Sequence, residues 1–368
     1  MLKFWTTLDP HRRQLAVAAA VLAAALLAWW LPRFLVKADA RITTPRLALE
    51  SLTSTVLYFN GPALPWLVAQ RPELLQPEDR DPRSDRARAF VQAVLNPKLF
   101  RQLDRRYRFD TLFLAGDPTQ YRTLLEHLLE TKDFTLTYVD HTSLVFKRNA
   151  PQAWSPEALR PVRARLTGVS KHDEAAFLAL TGTKLVSARR AAEGKALLEE
   201  AIAIDPGVAE AWSGLAIEHM NRGAWGDALA AADQALAIDK QHLGALATKT
   251  QVFYATKHFN EAYALSRQLI ERLPNDPNVL FKHAQIAHEA HAYKTEIEAL
   301  EKLITLAEAE QRATTGYRLY LAQAYTAAGN GPPAIENFTR VLADPELPAD
   351  QRKFAEESIQ RIKSRIGQ

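Results

Sequence analysis

The residues with the most chemical potential in this 368-residue chain form a short run of imidazoles and carboxylates: His283, His288, Glu289 and His291. Ring nitrogens and carboxylate oxygens can ligate a divalent metal, and His288 and His291 stand three residues apart, close enough to share a helix face. A metal centre needs further ligands at fixed geometry. The run therefore reads as polar helix surface, and no metal is expected.

Acid–base chemistry would need paired carboxylates around a substrate pocket. Asp110 and Asp140 both fall near predicted strand ends and read as turn and strand-cap residues. Gly61 and Gly116 stand alone, so there is no glycine-rich loop to cradle a phosphate, and no serine occupies a nucleophile elbow. The chain has no cysteine, which removes disulfides, thiolate zinc sites and a thiol nucleophile. Arg101, Arg105, Arg106 and Arg108 could meet phosphates, but interleaving with Asp104 marks a solvated helix face. A net charge of +4 is mild, and no nucleic-acid-binding motif is present. No catalytic residue, no cofactor and no small-molecule substrate are expected.

What remains is recognition chemistry. Gln251, Gln285 and Gln323 occupy equivalent places in successive segments, and a side-chain amide both donates and accepts hydrogen bonds. A row of amides can hold the backbone of an extended peptide, with Tyr254 and Phe281 as apolar anchors. Met220, Asn221, His288 and Leu319 complete the expected set. To line up, these residues must sit on helices repeated at a fixed interval.

That interval is visible. Pro206, Lys240 and Pro274 follow one another at 34-residue spacing, each ending a predicted helical hairpin. Gly182, Ala216, Ala284 and Ala322 recur where paired helices would approach closely, and Ala228, Ala262 and Ala334 do so on the second helix. Trp212, Phe253, Tyr325 and Phe338 would fill the gaps between hairpins. The stretch AWSGLAIEHMNRGAWGDALAAADQALAID resembles the tetratricopeptide (TPR) repeat, as does YLAQAYTAAGNGPPAIENFTRVLADP. The resemblance implies about five helical hairpins stacked into an α-solenoid whose concave face binds protein partners. The expected array covers 175–346, with a small insertion at 308–314 and a capping helix over 350–368. Thr250 and Glu296 stand where the motif carries small residues, so their repeats are expected to be less regular. The Lys–Asn–Arg set that grips a peptide C-terminus in chaperone-binding members is not evident.

The rest of the chain reads differently. Leu15 to Leu31, LAVAAAVLAAALLAWWL, is an uncharged apolar run spanning roughly 26 Å as a helix. After a tail at 1–13, residues 14–36 are expected to form a membrane anchor, with Trp29, Trp30 and Arg33 at the interface. A cleaved signal peptide is the alternative. Ala38-Asp39-Ala40 fits a cleavage site, but the apolar core is long and Arg33 and Lys37 are poor neighbours for cleavage. Flanking charges do not separate the two sides. A short cytoplasmic tail would place the bulk of the chain in the periplasm of a bacterium.

Residues 43–149 predict a small α/β domain. Thr55–Phe59 ends at the turn signal Asn60-Gly61-Pro62. Asp85 to Arg106 reads as helix interrupted at Pro97, with Phe90, Val91, Val94 and Leu95 on its apolar side. Phe109–Ala115 is a second strand, Pro118 opens a helix, and Phe134–Val139 with Ser143–Lys147 makes a hairpin. The segment YRFDTLFLAGDPTQYRTLLEHLLETKDFTLTYVDHTSLVFKR resembles the soluble periplasmic tail of GT-C-type membrane glycosyltransferases. Asp140, Val145, Phe146 and Arg148 match its hairpin pattern. The resemblance implies an outward-facing module. It carries over no catalytic residue, because that family's acids lie in loops between membrane helices that this chain lacks. Residues 150–174, with Pro151, Pro156 and Pro161, read as a linker in which Trp154 could dock.

The chain is thus expected to be mainly α: a transmembrane helix, a small α/β domain and a TPR solenoid. The function this implies is a single-pass inner-membrane scaffold that binds protein partners through its groove, in cell-envelope assembly. A permanent structural subunit of a membrane complex is the alternative, and a glycosyltransferase-related accessory or enzyme the third reading.

Overall fold

The computed structural model describes residues 48–366 except 50–51, 53–56, 77–79, 82–83, 117, 151–153, 167 and 310–312. The expected anchor, with Trp29, Trp30 and Arg33, lies outside the described residues. Among the described residues no helix is long and apolar enough to cross a membrane. The chain divides into two compact units, Met1–Arg189 and Arg190–Gln368.

The first unit contains a four-stranded sheet of order β1-β2-β4-β3, built from β1 (Leu57–Phe59), β2 (Thr111–Ala115), β3 (Phe134–Val139) and β4 (Ser143–Arg148). β1 and β2 are parallel, and the other pairs are antiparallel. Helices α1 (Leu64–Gln70), α2 (Asp85–Ala93), α3 (Pro97–Tyr107) and α4 (Arg122–Thr131) connect the strands. Pro97 separates α2 from α3, and the Asn96 side chain caps α3 by accepting from the Lys98 and Leu99 amides.

An aromatic cluster fills this core. Tyr58 packs on Phe90, Phe100 and Phe109 at ring separations of 5.1, 5.2 and 5.3 Å, and its hydroxyl donates to the Phe90 carbonyl at 2.8 Å. Phe90 of α2 and Val94 at its C-cap, four residues apart, are buried, while Val91 and Leu95 are half exposed. The apolar side is therefore narrower than the sequence suggests, because side chains one position along point some 100° away.

Asp140 is a turn residue. One oxygen accepts from the amides of Thr142 and Ser143 at 2.8 and 2.9 Å, and the other accepts from the Tyr138 hydroxyl at 2.9 Å. Arg148, at the end of β4, pairs with Asp104 at 2.5 Å and donates to the Phe109 carbonyl at 2.7 Å. Trp154 lies in the segment expected as a linker. It is buried, and its amide donates to the Leu136 carbonyl at 2.7 Å, continuing the hydrogen bonding of the β3 edge. Short helix α5 (Arg160–Arg165) leads into α6 (Lys171–Ser187). There Phe177 packs on His141, and the Lys184 ammonium donates to the Gly116 carbonyl. This helix, where the first repeat was expected, falls in the first unit.

The second unit is all helix. After α7 (Ala191–Ile204) come four hairpins: α8 (Ala209–Asn221) with α9 (Trp225–Ile238), α10 (Leu243–Ala255) with α11 (Phe259–Arg272), α12 (Pro277–Glu289) with α13 (Tyr293–Ala309), and α14 (Thr315–Ala327) with α15 (Gly331–Leu342). Helix α16 (Ala349–Ile366) closes the stack. Starts at Ala209, Leu243 and Pro277 keep the 34-residue interval, and the next start falls 38 residues on, at Thr315. The longer α13, with 17 residues against 14 in α11, takes up most of the insertion.

Ala216, Ala228, Ala262, Ala322 and Ala334 are fully buried, as expected for helices in close approach. The repeat carrying Thr250 keeps the regular interval, whereas the one carrying Glu296 is the repeat with the longer second helix. Thr250 is buried and donates to the Leu246 carbonyl at 2.7 Å, so its hydroxyl is satisfied inside its own helix. Glu296 is buried against His288, as described below.

The turn inside each hairpin repeats in its backbone. Gly223, Lys257, His291 and Gly329 all have φ between 57° and 78°, and Arg189 after α6 has φ 59°. Gly223 donates to the Met220 carbonyl and Ala224 to that of His219, the paired bonds of a Schellman ending. Lys257 with His258, His291 with Ala292, and Gly329 with Asn330 repeat that pairing. A side chain in this region costs ~1–2 kcal/mol, offset by glycine's extra unfolded-state entropy of ~0.5–1 kcal/mol. Lys257→Gly is therefore expected to stabilise the protein by about 0.5–1 kcal/mol. Thermal denaturation tests this. A lower midpoint would mean that the lysine side chain holds the turn by contacts of its own.

Candidate protein-binding groove

The first helices of the hairpins bring Tyr254, Phe281, Gln285, His288 and Gln323 to one pocket of about 150 Å³. They come from α10, α12 and α14, the first helices of three successive hairpins. Ala284, Glu289, Glu296, Leu300 and Tyr320 complete the lining. Four other expected residues lie outside it. Met220 and Asn221 end α8, Gln251 sits one turn before Tyr254, and Leu319 packs against the cluster under the terminal helix.

The pocket wall is aromatic. Phe281 and Tyr320 meet edge to face at 5.1 Å, and Phe281 also packs on Tyr317 at 5.8 Å. The Lys282 ammonium lies 4.9 Å from the Tyr254 ring centre. Burial, then Glu289 and Tyr320, hold the Tyr254 hydroxyl above its ordinary pKa, so it stays protonated as a donor at neutral pH.

The deepest polar group is Glu296, whose side chain is 5 % exposed. Both its oxygens lie against His288 Nδ1, at 3.1 and 3.0 Å. Burial raises its pKa, with His288 opposing that shift. The sequence signal for this residue was its departure from the motif: an acid where a small side chain is usual. Tyr320, Ala284 and Leu300 carried no such signal, because their types suit ordinary packing.

The histidine run is not uniformly polar surface. His283 is 4 % exposed, stacks on Tyr263 at 5.7 Å and bonds Ser266 Oγ at 2.8 Å. The Ser266 hydroxyl donates to the Tyr263 carbonyl at 2.9 Å. Its oxygen is left as acceptor, which assigns the imidazole proton to Nδ1. Helical spacing separates the three: His283 points inward, His288 reaches Glu296, and His291 bonds the Tyr293 hydroxyl at 2.9 Å. Among the described residues no group of three or more His, Cys, Asp or Glu side chains is placed to hold a metal.

The hairpin period, the Schellman turns and the buried small residues define a TPR-type α-solenoid. Solved structures similar to this chain include MamA from Desulfovibrio magneticus RS-1, residues 41 to the end. That structure is 19% identical with a TM-score of 0.41, over 47% of this chain and 96% of that one. YrrB, described as a TPR protein with an unusual peptide-binding site, is 12% identical with a TM-score of 0.45, over 53% and 97%. MamA of AMB-1 is 16% identical with a TM-score of 0.41, over 48% and 94%. No protein-family model matches the chain, and no curated protein does.

Proposed function

We propose that this protein is a scaffold that binds an extended segment of a partner protein across the first helices of its repeats. The observation that carries the reading is the pocket itself. Three aromatic rings, two side-chain amides and a buried carboxylate converge on one cavity from three successive hairpins. Its volume argues against a cofactor or metabolite, since such sites usually measure ~300–1,000 Å³. At ~30 Å³ per water, the cavity holds the equivalent of about five waters, the space of one side chain. A residue inserted there, with backbone held by Gln285 and Gln323, is the geometry of extended-peptide recognition.

In the same reading, Leu15–Leu31 tethers the scaffold to a bacterial inner membrane, with the bulk of the chain in the periplasm. The apolar run supports the tether. The likeness of the first unit's hairpin segment to glycosyltransferase tails supports a place in envelope assembly.

Replacing Gln251, Tyr254 and Gln285 together by alanine is expected to abolish partner capture by the full chain in mild detergent, with helicity unchanged by circular dichroism. Unchanged capture would remove the groove from the account. Partners at fixed stoichiometry that resist salt would make the protein a permanent subunit rather than an adaptor.

A further inference from the structure

We infer that the pocket takes a basic side chain, arginine or lysine, from the bound segment; this rests on the groove reading above. The first ground is an unfilled hydrogen-bonding capacity. An ionised carboxylate has about four acceptor positions. Glu296 lines the pocket and is nearly inaccessible to solvent, and His288 Nδ1 is the single donor recorded for it among the described residues. One N–H cannot satisfy two buried oxygens, whereas a guanidinium or an ammonium brings several donors and the opposite charge.

The second ground is the composition of the wall. Tyr254, Phe281 and Tyr320 supply aromatic rings, whose faces attract cations. Lys282 already lies against the Tyr254 ring, so this chain itself shows that a cation is accepted there. The third ground is charge. Glu289 and Glu296 line the cavity, His288 is the one basic residue in the lining, and neither lysine nor arginine contributes to it. A peptide C-terminal carboxylate would meet two acids in the lining, with the Lys282 ammonium outside it and already placed on the Tyr254 ring. An apolar side chain would leave the two Glu296 oxygens sharing the single His288 N–H, which is costly for a buried charge.

The fit follows from length. A long flexible stem can pass between the rings while its charged head reaches Glu296 and Glu289. Only such a residue makes both the apolar contact and the ion pair within one side-chain volume.

A random dodecapeptide phage library, selected on the full-length protein and counter-selected on Tyr254→Ala, tests this. Enriched sequences are expected to share one arginine or lysine position. Synthetic versions with citrulline or norleucine at that position are expected to bind at least about tenfold more weakly, from the lost cation–π and charge-pair contributions. Glu289→Gln, at an exposed position, is expected to shrink the arginine–citrulline difference without affecting folding, and Glu289→Gln with Glu296→Gln to shrink it further. Tyr254-dependent peptides lacking a shared basic position would overturn this inference and leave the groove standing. Failure to recover any Tyr254-dependent peptide would overturn the groove reading and the inference together.

Discussion

Phe338→Ala is expected to destabilise the second unit by about 3–4 kcal/mol, and to do so from its C-terminal end. Phe338 is 1% exposed and forms a cluster with Ala322, Ala334, Ala355, Ile359 and Ile362. Its ring also meets Phe354 of α16 at 6.0 Å. Truncation leaves a cavity between the last hairpin and the terminal helix, where neighbouring alanines are too small to fill it. In a stacked array each hairpin touches only its neighbours, so lost contacts at one end need not propagate. Hydrogen exchange should therefore rise over 315–366 and remain nearly unchanged over 209–272. A uniform rise along the array would show that it unfolds as one cooperative block.

The second large effect is acid sensitivity. An ordinary imidazole titrates near 6.5, whereas burial, with a further push from Arg267, brings His283 down to about 4. The folded state rejects a proton that the unfolded chain accepts. Stability from this residue is full above pH 6.5, falls as the pH drops towards 4, and levels off below that. Over about 2.5 pH units at ~1.4 kcal/mol per unit, the full loss is on the order of 3 kcal/mol.

His141 in the first unit behaves alike. It lies against Phe177 at 4.8 Å, with ring nitrogens that have no hydrogen-bond partner among the described residues, and burial with nearby Lys184 brings it to about 4 against the pull of Asp140. Denaturation midpoints at pH 7 and pH 5 for wild type and His283→Gln separate the two contributions. The substitution should roughly halve the pH dependence. An unchanged difference would clear His283 of the effect.

The array and its period were legible because small residues recur wherever helices must touch, a requirement that acts position by position. The strands of the first unit were legible through runs such as Leu112-Phe113-Leu114 ended by turn residues. The pocket was legible only in part. Helical spacing selects residues on one face, and it found Tyr254, Phe281, Gln285, His288 and Gln323. It also selected Leu319, because spacing cannot tell a groove from a packing seam when the terminal helix covers that end. His283 was misread for a related reason. One step along a helix separates surface from core, and a polar residue gives no sign of a buried serine waiting 17 residues earlier.

The left-handed turns have a consequence for how such a chain can diverge. Two of the four hairpins in the second unit use glycine at the turn, and the other two use lysine and histidine in the same backbone state. The ruler common to all four turns is thus a dihedral angle and a pair of main-chain hydrogen bonds. Side chains at those positions can be exchanged, at a tolerable cost, while the helices on either side keep their register. A lineage built on such a ruler can lose its written signature one turn at a time and still present the same face to whatever it binds.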